Sequence, residues 1–257
     1  MYHGIFGSEK EIFGESREWV HKDNFEEQCQ LLHDQNFYTI SLDEYISGVT
    51  GRDSHKKPIV LTFDDGPLCH LKYALPILKK YNFQAVFYIP VAWINQSNRL
   101  TDINIKEIAA SGMEIGSHSM THPDFRLINS ARIESEISDS KNYLEQLLAK
   151  PIVHFSYPKG RYTRLARIIL SQNDFLSAVT VDRGVNNPTT NNYLLYRLGM
   201  YGHTTMKKFE KLLRQKVFVK YYFLRYAGDM VERLLGRKLK KNIYRQAHQL
   251  IEWRRFN

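Results

Sequence analysis

Residues 59–67, Ile59-Val60-Leu61-Thr62-Phe63-Asp64-Asp65-Gly66-Pro67, run an apolar, β-branched stretch straight into two adjacent carboxylates and a Gly-Pro turn. The first five positions read as a buried strand that Gly66 and Pro67 bring to an end. Two ionised carboxylates at an apolar strand end are costly unless cations or hydrogen-bond donors compensate them. A second stretch of this kind follows. Residues 113–117 read as a strand, and their end carries His118-Ser119-Met120-Thr121-His122-Pro123. Two histidines four positions apart can aim both imidazoles at one point, from a helical turn or a tight loop. An Asp-Asp pair alone is usually a solvated turn or cap, and a lone H-x-x-x-H pair usually carries no function. Two such ends on separate strands, each with its own Gly or Pro punctuation, point instead to one site. One Asp and two His offer three ligands and leave a position open, the pattern of a catalytic rather than a structural metal site.

Outward from these two ends, strands are predicted over 38–41, 59–63, 85–89, 113–117, 152–157 and 176–181, with a weaker pattern over 194–198. Helical patterns lie between them, over 24–36, 70–81, 103–110, 130–149, 162–172 and 205–215. In 130–149 the apolar residues Ile133, Ile137, Leu144, Leu147 and Leu148 fall near one face. Strand–helix alternation implies parallel strands joined by crossover helices. About seven such units suit an α/β barrel, with the site at the C-terminal ends of the strands.

The 257 residues are 43% hydrophobic and 25% charged, which excludes a disordered or collagen-like chain. Neither an apolar run long enough to span a membrane nor a secretory signal stands at the start, so the chain as written reads as cytoplasmic. Two cysteines, Cys29 and Cys69, provide neither a disulfide framework nor a Cys-based zinc cage. The net charge of +9 is uneven: residues 207–257 hold 15 Lys and Arg against four acids, whereas 1–206 hold 21 against 23. The mildly acidic body argues against a nucleic-acid binder. A domain over 1–206 and a basic amphipathic helical extension over 207–257 are therefore expected. The extension interleaves Phe218, Tyr221, Tyr222, Leu234, Leu235 and Trp253 with Lys and Arg. Such a segment either contacts a membrane surface peripherally or packs on the barrel with a solvated basic face.

Thr62-Phe63-Asp64-Asp65-Gly66-Pro67 and His118-Ser119-Met120-Thr121-His122 resemble the first two motifs of the polysaccharide deacetylases, carbohydrate esterase family 4. The resemblance covers roughly residues 1–206. It implies a distorted (β/α) barrel that removes N-acetyl groups, sometimes O-acetyl or formyl groups, from sugars with the help of a divalent metal. By position it implies Asp64 as general base and Asp65, His118 and His122 as metal ligands. Phe155-Ser156-Tyr157-Pro158-Lys159-Gly160 aligns with the family's third motif, with Ser156 where an arginine often stands and Lys159 in place of a tyrosine. The arginine orients the base, and Arg183 and Arg197 are the candidate substitutes. The Lys159 backbone N–H retains the oxyanion-holding role, because a backbone donor survives the side-chain change.

No late L-x-x-H motif is evident to supply the general acid. In the branch resembling poly-N-acetylglucosamine deacetylases the acid precedes the first motif in a Tyr-His segment. Met1-Tyr2-His3-Gly4-Ile5 matches that segment 61 positions ahead of Asp64, so His3 is the expected acid and His203 the runner-up. Only two residues precede His3. Either the native chain starts further upstream, with a periplasmic or cell-surface location, or the first strand is stunted. Zinc is the expected metal, with cobalt, nickel or manganese also compatible with an Asp-His-His set. Trp93, Tyr157 and Pro158 are the expected groove-lining residues for an N-acetylated glycan, the alternative for the aromatics being simple packing. Cys69 reads as a buried thiol at a helix start, and His70 and His154 as bystanders. The expected function is metal-dependent N-deacetylation of a cell-surface polysaccharide or its lipid-linked precursor. The alternatives are a silent glycan-binding relative, or a de-O-acetylase or deformylase.

Overall fold

The computed structural model describes residues 1–48, 57–187 and 189–214. The chain divides into a compact unit, Met1–Phe209, and a second, Glu210–Asn257, of which only 210–214 are described. The expected amphipathic extension therefore lies almost wholly outside the described residues. No described helix is long and apolar enough to cross a membrane.

Strand β1 (Gly4–Phe6) pairs in parallel with β2 (Trp19–His21), which feeds α1 (Lys22–Asp34). A second parallel pair joins β3 (Phe37–Thr39) to β4 (Lys57–Ile59), with α2 (Leu42–Ile46) between them. The main sheet then runs β5 (Thr62–Phe63), α3 (Leu75–Lys80), β6 (Val86–Ile89), α4 (Asp102–Ala110), β7 (Glu114–Ser117), α5 (Ser130–Leu148), β8 (His154–Ser156), α6 (Arg164–Gln172) and β9 (Ser177–Val179); α7 (Met206–Leu213) follows. Its five parallel strands lie side by side in chain order, each step spanned by a helical crossover. Crossovers of one hand put every helix on the same face, and the sheet curls into a parallel half-barrel.

Local sequence explains the helix limits. Asn129 caps α5 by accepting from the Arg132 N–H, and Ala149 ends it in the left-handed region at φ 51° just before Lys150-Pro151. Thr101 and Asn104 cap α4 reciprocally. On one side of the sheet Phe63 stacks on Phe87 at 4.8 Å and on Tyr2 at 5.3 Å, with Phe25 of α1 edge-on to both Tyr2 and Phe63. On the other, Val86, Tyr88, Val179 and Leu195 pack with Leu42 of α2, which plugs the barrel's lower mouth with Tyr45 and Ile46 against it. Gly116 of β7 has a steric reason to be glycine. A Cβ there would fall 2.5 Å from the Tyr88 ring and 2.9 Å from the His154 carbonyl.

Three expectations are corrected. The main sheet has five strands rather than about seven. The run 59–63 is not one strand, because its start pairs with β3 and its end with β6, and an apolar run does not announce where it changes partner. The weak pattern at 194–198 is reduced to one bridge, Val179 to Leu195. The short strands β1 and β2 carry too few residues to show a period. The helix expected over 70–81 opens as a π-helical stretch, His70–Ala74, before α3.

Candidate active site

β5 ends in a turn that displays both carboxylates. Asp65 and Gly66 are consecutively left-handed, at φ 74° and 56°; Gly66 meets this at little cost, whereas Asp65 is held there. The Asp65 carbonyl accepts from Arg99 Nη1 at 2.8 Å, and Leu100 N–H donates to the Gly66 carbonyl, which fixes the turn from outside. β7 ends the same way: Ser119 and His122 sit at φ 67° and 60°, and the Ser119 hydroxyl accepts from the His122 N–H.

These turns bring Asp65, His118 and His122 together. Asp65 Oδ1 lies 3.5 Å from His118 Nε2 and 3.6 Å from His122 Nε2, and it is buried with no hydrogen-bond partner. His118 Nδ1 donates to the Ser156 carbonyl at 2.7 Å, so its Nε2 presents a lone pair to the cluster. The His118 lone pair, His122 Nε2 and the orphaned carboxylate oxygen lie within ligand reach of one another and could hold a metal ion. Burial, with the Asp64 charge, pushes Asp65 up to about 6 against the pull of His3 and Arg99. Burial likewise lowers His118, and it takes His122 down to about 2 with the charges of His118 and Lys159. Both imidazoles are thus neutral and ready to ligate.

Asp64 is held differently. Arg197 reaches it with both arms, Nη1 to Oδ1 and Nη2 to Oδ2, each at 2.7 Å. The same guanidinium donates to the Thr180 carbonyl, the Thr62 hydroxyl and the Ser156 hydroxyl, so its donors are satisfied in a buried position. Burial pushes the Asp64 carboxyl up, but the Arg197 and His118 charges and the Arg197 hydrogen bonds outweigh it and hold Asp64 well below the usual range. Of the two arginines read as candidate substitutes for the one missing at Ser156, Arg197 is the one that grips Asp64. Arg183 lies instead in the field of His203.

A family model for polysaccharide deacetylases matches residues 51–178. The Bacillus subtilis protein YxkH is 29% identical over 180 residues, covering 70% of this chain and 64% of its own length. A peptidoglycan-N-acetylglucosamine deacetylase of Bacillus cereus is 29% identical over 108 residues, 42% of this chain and 48% of that one. The structure of the Streptococcus pyogenes deacetylase PplD in complex with acetate superposes with a TM-score of 0.74 at 28% identity, covering 83% of this chain and 95% of that chain. The chain belongs to the polysaccharide deacetylase family. It spans under two thirds of the length of the two curated relatives.

Around this deacetylase-family cluster the other expected residues divide. Tyr2 pairs with β5, its N–H to the Thr62 carbonyl and its carbonyl to the Asp64 N–H, so His3 stands beside Asp64. His3 Nδ1 is buried with no hydrogen-bond partner. Burial outweighs the opposing Asp64 and Asp65 charges and lowers the ring's pKa. His203 is exposed and stacks on Tyr201, and no ion pair ties it to the cluster among the described residues. Lys159 sits at φ 57° in the turn after β8; Gly160 and Arg161 donate back to Tyr157 and Pro158, while Lys159 N–H makes no hydrogen bond among the described residues.

Trp93 is half-buried, 4.8 Å from the His122 ring, with Arg99 4.1 Å from its ring centre. Tyr157 requires correction as a sugar-stacking residue. Its ring is fully buried against Phe155, Phe125 and Tyr162, and its hydroxyl donates to the Tyr193 carbonyl. Pro158 is buried as well, at the start of its turn. Cys69 is a buried thiol pushed up to about 12 by burial, and its sulfur accepts from the Ile5 N–H. His70 is no bystander: its Nε2 bonds the His3 carbonyl from below.

Sequence reasoning missed Glu136. It is buried, and its carboxylate accepts from the Thr121 N–H, the Thr121 hydroxyl and Arg132. The signal was present, since an acid at position 136 interrupts the apolar face of 130–149.

Proposed function

We propose that this chain is a metal-dependent hydrolase that removes N-acetyl groups from N-acetylated sugars of a cell-surface polysaccharide or its lipid-linked precursor. One observation carries the reading: the orphaned Asp65 Oδ1 between two imidazole lone pairs, beside an Asp64 locked by Arg197. Asp65, His118 and His122 are the residues that would hold a divalent ion, zinc first by the donor set. When bound, such an ion supplies Lewis-acid polarisation of the amide carbonyl and acidifies a water.

The chain's own groups account for the remaining steps. Asp64, ionised at neutral pH, takes the proton of the attacking water as its oxygen bonds to the carbonyl carbon. The unengaged Lys159 N–H donates to the oxyanion that develops, a contact worth on the order of 3 kcal/mol. His3, beside Asp64, gives its proton to the amide nitrogen as the C–N bond breaks, releasing acetate and the free amine. Arg197 fixes both Asp64 oxygens so that proton transfer needs no reorientation of the base. Trp93 borders the cluster next to His122 and offers a face for a sugar ring.

Acetate release from short N-acetylglucosamine oligomers, with and without chelator, tests the reading. Chelator-sensitive release supports it. No release from these oligomers, from lipid-linked N-acetylated glycans or from O-acetylated glycans would leave a silent relative. Purified His3→Ala with near wild-type turnover would remove His3 from the acid role.

A further inference from the structure

A second cluster lies at the opposite end of the barrel, and nothing in the proposed chemistry uses it. Asp43 stands in the first turn of α2, Glu114 opens β7 and His154 opens β8. Glu114 and His118 are four residues apart along one strand direction, so the two clusters are separated by about 13 Å of β7. His154 is 2% exposed, and its Nδ1 is 2.9 Å from the Ser177 hydroxyl. Its Nε2 is buried, faces Asp43 Oδ1 at 3.1 Å and Glu114 Oε1 at 3.8 Å, and makes no hydrogen bond in this geometry.

We propose that Asp43, Glu114 and His154 form a second divalent-cation site, of the zinc, cobalt or manganese class, at the foot of the barrel. Two carboxylate oxygens turned toward an imidazole nitrogen that makes no hydrogen bond in this geometry are a donor set that one cation would satisfy. The two spacings are those of atoms each about 2.1 Å from one ion, which lie up to about 4.2 Å apart. One imidazole with two carboxylates is a borderline donor set that transition metals accept. The ligands are braced from behind: the Ser177 hydroxyl holds the His154 ring, and Glu114 Oε2 accepts the Leu42 N–H at 3.0 Å. Access is open, because Asp43 is exposed and the three residues line a cavity of about 180 Å³ together with Ile152 and the exposed Lys150. An ion there ties α2, β7 and β8 together where the barrel is plugged, which is a structural rather than a catalytic role.

Zinc chloride titrated into the whole protein by calorimetry, with bound zinc counted after desalting, tests this. Two equivalents are expected for the wild type and one for His154→Ala. The double variant His118→Ala/His122→Ala should bind one equivalent and gain several degrees in Tm with zinc, and adding His154→Ala should abolish both. A wild-type protein whose zinc count does not change on His154→Ala overturns the proposal, as does a Glu114→Gln variant that keeps the full count. Should the first cluster hold no metal, the wild type binds one equivalent that vanishes with His154→Ala. The failure of the proposed function and the failure of this site are therefore told apart. A His154 found protonated, with no zinc taken up, also overturns it.

Discussion

Asp64 and Asp65 are neighbours in the chain, yet the structure gives them opposite acidities, and that divergence is what the site's chemistry rests on. Arg197 makes Asp64 a carboxylate at any working pH, whereas burial leaves Asp65 protonated below about 6. A bound cation must displace that proton. As pH falls through about 6 the protonated fraction grows, so metal affinity is expected to drop toward about tenfold per unit below it. Cobalt titrations at pH 7 and pH 5 check this; equal affinities would remove the Asp65 contribution. Burial lowers both histidines, so each carries less proton than an ordinary imidazole over the same range. Replacing Arg197 by lysine removes the two-armed grip and lets the Asp64 pKa rise toward what burial alone dictates. With Asp64 as base, the acidic limb of kcat/KM at saturating metal then moves to higher pH. A profile whose acidic limb stays in place would show that Arg197 does not tune the base. Asp64→Asn is expected to abolish turnover while keeping metal affinity.

At the scale of elements, α5 holds the loop that carries His118 and His122. The Glu136 backbone carbonyl accepts the Met120 N–H and its carboxylate takes both polar groups of Thr121, pinning a loop whose Ser119 and His122 are left-handed. Glu136→Gln preserves shape but loses the charge-assisted grip, with its Arg132 pairing, and is expected to lower metal affinity about 10- to 100-fold while circular dichroism is unchanged. Unaltered affinity would mean the loop holds itself. Elements also decide what the sequence could disclose. The helices were legible because α5 and α6 are long enough to show a 3.6-residue period and end on recognisable caps. The strands of the main sheet were legible as apolar runs. The places where a run changes neighbours, as between Ile59 and Thr62, were not, since pairing is a property of two segments. The Asp65, His118 and His122 cluster was legible because Asp65 and His118 follow directly on strand ends, with Gly or Pro nearby, and His122 lies four residues beyond His118. The partners that set its electrostatics were harder to read. Arg197 is 133 positions from Asp64, with only a gap at Ser156 to hint that an arginine must come from elsewhere.

Over the whole Met1–Phe209 unit the same sheet does two jobs, presenting ligands at the C-terminal strand ends while its interior stays filled. The residues that fill it must therefore be sized to one another without reference to the chemistry. Gly116 and Tyr88 are such a pair in the main sheet: the Tyr88 ring crosses where a Gly116 side chain would stand, and the His154 carbonyl closes off the space behind. Alanine at 116 must push the ring or the β7–β8 pairing aside, an overpacking cost of about 1–3 kcal/mol. For a unit of this size that is a fall in Tm of about 2–4 °C per kcal/mol. Gly116 is separated from His118 by Ser117 alone. Thermal unfolding of metal-free Gly116→Ala should show the drop in full. A second variant, Gly116→Ala with Tyr88→Leu, vacates the volume that the methyl group needs and should recover part of it. An undiminished Tm for the single variant would mean that the barrel interior yields by more than the side-chain packing around Val86, Tyr88 and Val179 allows, and that the ligand geometry is not held by a rigid core.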